Sequence, residues 1–282
     1  MKTGIEDLDK IVSISPGDVI VIGGRPSMGK TALMRQMALE WARAGSIVTY
    51  WDLQRAKMER EIGMLCSCAQ VDRSKLKVAT PIDCDLMKTI FDGQETGECL
   101  IDGMEVQRLV GAGHEMDTLP IIINPEGYGD DVATWLRFGE MPGVLFIDFI
   151  QLAVAHENQA IEIANMLTRL KRLAIQKGIV IFLAAQISRK VDEVVGHRPR
   201  LTHLSDSSSL EEVADKVIFI LRRDHYDPND KPGLCELIVA KNNIGNAGSA
   251  MVCFNKEVGA LLTYQPYDHE LDSTFGDDSA FR

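Results

Sequence analysis

The residues with the clearest chemistry lie in a glycine-rich segment near the amino terminus. Residues 24–31 read Gly-Arg-Pro-Ser-Met-Gly-Lys-Thr and match the pattern G-x-x-x-x-G-K-[ST] of a phosphate-binding loop. Glycines let the backbone N–H groups converge on an anion, and the helix that begins here adds the positive end of its dipole. Lys30 would reach the terminal phosphates, and the Thr31 hydroxyl would ligate Mg²⁺. The segment predicts an ATP site, with contacts from Gly24, Ser27, Met28, Gly29, Lys30 and Thr31.

A carboxylate for the same metal is expected at Asp148. It follows the apolar run Val-Leu-Phe-Ile at residues 144–147, which predicts a buried strand. An acid in that place could cap a turn instead. Beside a phosphate loop, however, a carboxylate at a strand end suits a magnesium ligand. We therefore predict that Thr31 and Asp148 hold Mg²⁺ and that Lys30 and Asp148 serve the chemistry.

The elements that must position these groups alternate along the chain. Apolar runs are separated by helical patterns, which predicts an α/β fold with βα units and a mostly parallel sheet. Residues 78–118 contain five glycines and predict short helices and loops. The expected strands are residues 19–22, 47–51, 119–124, 144–148, 179–184, 217–221, 237–240, 251–254 and 261–264. The expected helices are residues 31–44, 58–68, 130–138 and 160–177.

Composition limits the function classes. The chain has 282 residues with 45% hydrophobic and 25% charged, which is typical of a globular protein. Its net charge of −11 argues against coating nucleic acid with the whole surface but leaves room for a local basic groove. Six scattered cysteines predict reduced thiols, and no apolar run reaches the roughly 18 residues that span a membrane. A cytoplasmic protein without membrane contact is expected.

One large domain is expected over residues 1–266. Residues 267–282 form an acidic tail, for which we predict disorder and a solubilising role. The alternative is a short partner-binding motif built on Phe275 and Phe281.

Several segments together resemble the motor domain of DnaB-type replicative helicases. Residues 3–9 read Thr-Gly-Ile-Glu-Asp-Leu-Asp, and residues 148–152 read Asp-Phe-Ile-Gln-Leu. The other segments that resemble the family's motifs, in the same order along the chain, are residues 16–18, 25–31, 186–189, 204–215 and 219–222, with Lys241 and Gly245. The similarity covers residues 3–266, nearly the whole chain.

This resemblance implies a RecA-like P-loop NTPase core with antiparallel strands at its carboxyl-terminal end. It also implies a six-membered ring with ATP between neighbours and single-stranded DNA through the centre. Gln186 would end the sensor strand, and Arg222 would lie near the nucleotide. Family members carry an amino-terminal helical domain and a linker helix, which we expect this chain to lack, as in shortened phage or plasmid versions. The ring would then be weaker, or another helicase or replication protein would supply the contact.

The sequence departs from the family where water is activated. The family places a glutamate just after the second strand, and Gln54 stands there in this chain. An amide can orient water but cannot accept its proton, and losing a general base costs roughly 10² to 10⁴ in rate. Asp52 lies two residues earlier and would point the same way on a strand, so it is an alternative base.

A second departure concerns the cation that a neighbouring subunit supplies. The family's arginine finger follows two residues after the lysine that is Lys241 here, and this chain has Asn243. Removing such an arginine costs on the order of 10³ to 10⁵ in rate. We expect slow turnover in a homomeric ring, although Lys241, Arg222 or Arg223 could provide a cation to the adjoining subunit.

A third departure lies in the expected DNA-binding loop. The family's Arg-Glu-Ser-Gly run is replaced by Ser-Asp-Ser-Ser at residues 205–208, so a phosphate-binding cation has been lost. Nearby cations could compensate, with His197 and His203 beside them. The candidate DNA contacts are Arg189, Lys190, Arg198, Arg200, Ser205, Asp206 and Ser208.

These observations leave three functions open. The first is an ATP-driven helicase or translocase motor on single-stranded DNA. The second is an ATP-binding regulator or assembly factor that has lost most turnover. The third is a recombinase or clock-type RecA relative, against which the phosphate loop and the Asp-Phe-Ile-Gln-Leu run both argue.

Overall fold

The structure is a computed structural model that describes residues 2–76, 101–125, 135, 142–154, 159–204 and 207–264, with residues 207–208 as backbone only. The strands in this part are β1 (Val19–Gly24), β2 (Val48–Asp52), β3 (Ile121–Ile123), β4 (Val144–Asp148), β5 (Val180–Gln186), β6 (Lys216–Leu221), β7 (Leu234–Asn242), β8 (Gly248–Asn255) and β9 (Ala260–Thr263). The α-helices are α1 (Glu6–Asp9), α2 (Lys30–Arg43), α3 (Lys57–Ala69), α4 (Gly103–Thr118), α5 (Gln159–Lys177) and α6 (Ser207–Val213). None of these helices is both long and apolar enough to cross a membrane.

The described strands form one sheet in the order β3-β2-β4-β5-β1-β6-β7-β8-β9. Pairing is parallel from β3 to β6 and antiparallel from β6 to β9. The central strands are buried along their whole length because helices cover both faces, which explains their unbroken apolar sequences. The predicted fold class, a mostly parallel sheet with antiparallel strands at the carboxyl-terminal end, is confirmed.

One core forms on each face of the sheet. On the first face, α2 packs Leu33, Met37 and Trp41 against strand residues, and the Trp41 ring meets the Phe182 ring edge-on at 5.8 Å between centroids. On the second face, the apolar stripe of α5 packs on the same strands through residues such as Leu167. The packing of α2 fixes the position of Lys30 and Thr31 relative to the strand ends.

The segment between residues 101 and 118 differs from the prediction. Short helices and loops were expected, but α4 is a continuous helix of 16 residues. Asp102 and Glu105 form a capping box at its start, and Leu109 and Ala112 pack against α3. Tertiary packing therefore outweighs the helix-weakening effect of the internal glycines.

Several other boundaries are also corrected or fall outside the described chain. The strand predicted at residues 119–124 shortens to β3, β5 continues to Gln186, and α6 was not expected. Of the helix predicted at residues 130–138, only Trp135 is described, and it is helical and buried. The acidic tail at residues 267–282 lies outside the described residues, so its role stays a prediction.

A buried ion pair ties β6 to the start of β1. The Lys216 Nζ lies 2.6 Å from Asp18 Oδ2, with the two side chains 0% and 8% exposed.

Lys216→Ala is expected to lower the free energy of unfolding by about 3–5 kcal/mol, because it leaves a buried carboxylate without its partner. Urea denaturation measures this change. Lys10→Ala removes an exposed lysine paired with Asp7 and Glu6, so it should change the free energy of unfolding far less, because surface ion pairs contribute little. Equal effects of the two substitutions would contradict this account.

Candidate functional site

The phosphate-loop segment connects the end of β1 to the start of α2. Ser27 has a φ of 63° and Gly29 a φ of 106°, so the backbone curls through left-handed conformations. A Cβ on Gly29 would lie 3.0 Å from the Phe254 ring, and this close contact adds to the strain that the positive φ would impose on any other residue. The Met28 side chain is 1% exposed and packs in the core. Any contact of Met28 with a ligand would therefore come from its backbone.

Lys30 is buried at the first position of α2. Its ammonium donates to the carbonyl oxygens of Gly24 at 2.9 Å and Arg25 at 3.0 Å. Burial lowers the pKa of Lys30 to about 8, and the nearby Asp148 carboxylate opposes this shift. A charged amine held this way gains strongly from an anion, because the anion offsets the cost of keeping the charge out of water.

Asp148 ends β4 and is fully buried. Tyr50 donates its hydroxyl to Oδ2 at 3.2 Å, and Gln54 donates its side-chain amide to Oδ1 at 3.3 Å. Burial raises the pKa of Asp148 above its usual value, while a hydrogen bond from Thr31 lowers it. The structure thus brings Thr31 and Asp148 into contact, as the magnesium prediction requires.

The donor set suits Mg²⁺ shared with a nucleotide. Among the residues that the structure describes, no group of three or more His, Cys, Asp or Glu side chains forms a metal site. In nucleotide sites, however, Mg²⁺ takes one or two protein oxygens and completes its shell with phosphates and water. Thr31 and Asp148 would supply these oxygens.

The environment of Asp52 argues against its role as the base. The side chain is 1% exposed. Its Oδ2 accepts hydrogen bonds from Arg35 at 3.2 Å and Arg55 at 2.9 Å, and its Oδ1 accepts one from the Gln54 backbone N–H at 3.1 Å. Both oxygens are therefore engaged, whereas the Gln54 side chain faces Asp148 and the cleft.

Gln186 and Arg222 also lie beside the loop. Gln186 ends β5 in register with Gly24 on the neighbouring β1. The Arg222 guanidinium lies 4.4 Å from the centre of the Phe254 ring, donates to the Ser27 carbonyl at 3.3 Å and pairs with Asp224. Arg222 is 5% exposed, so it is a structural support of the loop as well as a candidate nucleotide contact.

Several of these groups line a cleft of about 430 Å³. It lies over the start of α2, between α3 and the turn that joins β8 to β9. Its lining includes Lys30, Thr31, Arg35, Gln54, Arg55 and Gln186. The cleft opens at the carboxyl ends of the parallel strands, where ligands bind in open α/β sheets.

Lys241 and Asn243 lie at the end of the strands away from the cleft, where the parallel strands begin. In the register of β6 and β7, Asn242 pairs with Lys216, the residue at which β6 begins, whereas β6 ends near the phosphate loop. A strand of this length spans roughly 20 Å. Lys241 donates to the Glu211 carbonyl at 2.6 Å, and the Asn243 backbone donates to the Asp215 carbonyl at 3.0 Å. Neither residue lines the cleft of its own chain.

The candidate DNA contacts are only partly gathered. Arg189, Lys190 and Arg200 are exposed. Arg198 is paired with Glu236 at 2.5 Å, so its charge is partly neutralised. The other three positions cannot be placed this way: Ser205, Asp206 and the side chain of Ser208 lie outside the described residues.

Three arginines that line the cleft, Arg35, Arg55 and Arg73, were missed by sequence reasoning, although two of them had a local signal. Arg35 lies four residues after Thr31 on α2, which places it on the same helix face. Arg55 directly follows Gln54. Sequence spacing gave only these two signals. Until its partner is known, an arginine in a helix is interpreted as an ordinary solvent-exposed residue.

Comparison with known proteins adds a family and a fold. Residues 1–262 match the family model described as DnaB-like helicase C terminal domain. A "Probable plasmid replicative DNA helicase" of Chlamydia psittaci is 30% identical over 92% of this chain and 54% of its own length. A "Replicative DNA helicase DnaB" of Haemophilus influenzae is 28% identical over 90% of this chain and 53% of its own. The chain therefore spans about half the length of the curated relatives it matches.

Solved structures agree in fold. A solved ATPase domain aligns with a TM-score of 0.76 at 24% identity, over 94% of this chain and 91% of that one. A DnaB-like replicative helicase studied with primase aligns with a TM-score of 0.77 at 25% identity, over 94% and 62% of the two chains. The RadB recombinase shares the fold alone, with a TM-score of 0.55 and 13% identity.

Proposed function

Because this chain belongs to the family of DnaB-like helicase C-terminal domains, we propose that it is the motor of a replicative DNA helicase, which binds ATP and Mg²⁺ and acts on single-stranded DNA in the cytoplasm. One observation carries the proposal. Lys30 and Thr31 at the start of α2 and Gln186 at the end of β5 line one cleft, and the buried Asp148 at the end of β4 contacts Thr31. That cleft lies where a glycine-rich loop leads into a helix, which is the arrangement that binds a nucleoside triphosphate.

Each residue has a distinct task in this proposal. Lys30 exchanges its two carbonyl contacts for oxygens of the terminal phosphates. Thr31 and Asp148 provide oxygens to Mg²⁺, which neutralises the charge on the phosphates when bound. Gln54 orients the attacking water but cannot take its proton. Gln186, at the end of β5, reports the state of the nucleotide to the loop that follows.

The assembly is proposed to be a ring of copies of this chain. Asn243 is exposed at the end of the strands away from the cleft. A head-to-tail contact between two copies would therefore bring it to a neighbour's nucleotide. Asn243 supplies no positive charge there and Gln54 cannot accept the proton of water, so turnover is slow. One similar solved structure is described as that of a DnaB-like replicative helicase and its interactions with primase. Contact with a replication protein or another helicase is the corresponding proposal for this chain.

The domain limits remain part of the proposal. Residues 1–266 are taken as one ATPase domain and residues 267–282 as an acidic tail.

The basic residues Arg189, Lys190 and Arg200 are exposed after β5 and are proposed to contact the DNA backbone. Such contacts are independent of base sequence and weaken as salt is raised.

An ATPase and unwinding assay with and without single-stranded DNA tests this function. Mass measurement with and without nucleotide would follow assembly. DNA-stimulated hydrolysis with strand separation is expected, at a low rate. ATP binding without any stimulation or unwinding would instead favour the ATP-binding regulator, which Gln54 and Asn243 make the second candidate. Failure to bind ATP would contradict both.

A further inference from the structure

The cleft contains a cation from its own chain that the proposed chemistry has not used. Arg55 follows Gln54 directly after β2, and its side chain is 26% exposed while lining the cleft. It lines this cleft together with Lys30 and Thr31, and the preceding Gln54 donates to Asp148 at 3.3 Å. Arg55 therefore stands beside the group expected to hold Mg²⁺.

Asp52 holds Arg55 in a fixed position. One carboxylate oxygen, Oδ2, contacts Arg55 Nη1 at 2.9 Å and Arg35 Nη2 at 3.2 Å. Arg35 is in turn confined, because a Cβ on Gly63 would lie 2.5 Å from its guanidinium. Asp52 thus binds both arginines directly, and the Asp148 carboxylate also acts on Arg55 through its charge. Arg55 is the more exposed member, with 26% of its side chain accessible against 9% for Arg35.

We propose that Arg55 contacts the γ-phosphate of ATP bound in its own chain and supplies the cation that Asn243 cannot supply from a neighbour. The inference rests on the proposed function. A guanidinium has five N–H donors, and the contact with Asp52 uses one of them, so others remain for phosphate oxygens. A cation that is already oriented stabilises the charge of the transition state without reorganisation.

The step that Arg55 assists is hydrolysis. The water oxygen forms a bond to the γ-phosphorus, and the bond from that phosphorus to the bridging oxygen breaks. The electron pair of the broken bond stays on the β-phosphate of ADP, and the water proton leaves with the released phosphate. Arg55 stays protonated throughout and accepts no proton. It acts on the charge that gathers on the phosphate oxygens.

Three measurements on Arg55→Ala test the inference. Affinity for a non-hydrolysable ATP analogue should stay within about threefold of the unsubstituted chain, whereas kcat should fall on the order of 10³-fold. Capture of ADP with aluminium fluoride and Mg²⁺, which mimics the transition state, should be lost. Arg55→Lys should recover part of kcat. Arg108→Ala is the control, because it removes an arginine that is 48% exposed on α4.

A mixing experiment distinguishes action within one chain from action across an interface. Arg55→Ala chains have an intact phosphate loop, and Lys30→Ala chains have an intact Arg55. If Arg55 acts within its own chain, a mixture of the two should hydrolyse no faster than the separate chains together. Recovery of turnover in the mixture would assign Arg55 to a neighbour's site and overturn the proposal.

Different results would contradict the role of Arg55 and the proposed function. Loss of ATP binding by the unsubstituted chain would remove the function itself. Normal ATP binding, with Arg55→Ala unchanged in kcat and in aluminium fluoride capture, would overturn the role of Arg55 alone. If hydrolysis is too slow to follow, the capture of ADP with aluminium fluoride decides whether Arg55 acts on the transition state. Thermal unfolding of each variant verifies that it is folded.

Discussion

Lys30→Ala is expected to lower the affinity for ATP by at least about 100-fold. The carbonyls of Gly24 and Arg25 hold the Lys30 ammonium at the loop, and it would exchange these two contacts for phosphate oxygens when ATP binds. A hydrogen bond to a charged group contributes about 1.5–3 kcal/mol, and two of them correspond to roughly 10² to 10⁴ in affinity. Isothermal titration with ATP and Mg²⁺ measures the change.

The same substitution should leave the chain folded. Burial lowers the pKa of Lys30, so the charged amine is less stable in the folded chain than in the unfolded one. Removing it costs packing of the methylene groups but relieves the buried charge. Lys10→Ala, an exposed lysine on the surface, serves as the binding control. Full ATP affinity in a folded Lys30→Ala chain would rule out the phosphate loop as the nucleotide site.

Gln54→Glu is expected to raise the rate of ATP hydrolysis by roughly 10² to 10⁴, because it restores a group that can accept a proton from water. The new carboxylate would lie near Asp148, since the Gln54 amide is 3.3 Å from it now. Repulsion between the two is offset by Arg55 and Arg35, whose charges already act on Asp148. Single-turnover kinetics isolates the chemical step from product release.

Asn243→Arg combined with Gln54→Glu tests the two departures together. If Arg55 provides the cation within its own chain, adding Asn243→Arg should contribute less than about tenfold beyond Gln54→Glu. Gln54→Ala is the control for loss of the amide and should not accelerate the reaction. Slow turnover of the unsubstituted chain that the double substitution leaves unchanged would show that neither position was assigned correctly.

Much of the fold followed from local patterns. Buried parallel strands require unbroken apolar runs, so β1, β4 and β5 were visible in the sequence, and the spacing of Leu167 and Leu170 revealed α5. The helix α4 was not visible, because the capping box of Asp102 and Glu105 and the packing on α3 outweigh its glycines. Element boundaries shifted by a few residues for the same reason, since they depend on partners elsewhere in the chain.

The sequence by itself predicted the glycine-rich loop between β1 and α2 and the place of Asp148 at the end of a buried strand, and the structure has both. A loop whose glycines must curl around an anion leaves a mark within eight residues, and a carboxylate at the end of an apolar strand is also a local signal. Only the tertiary structure decided that Arg35, Asp52 and Arg55 form one ion-pair cluster and that Asn243 lies away from its own cleft. Arg35 and Asp52 are 17 residues apart and meet because α2 packs across the sheet. Ion pairs of this kind depend on distance in space, which residue spacing does not encode.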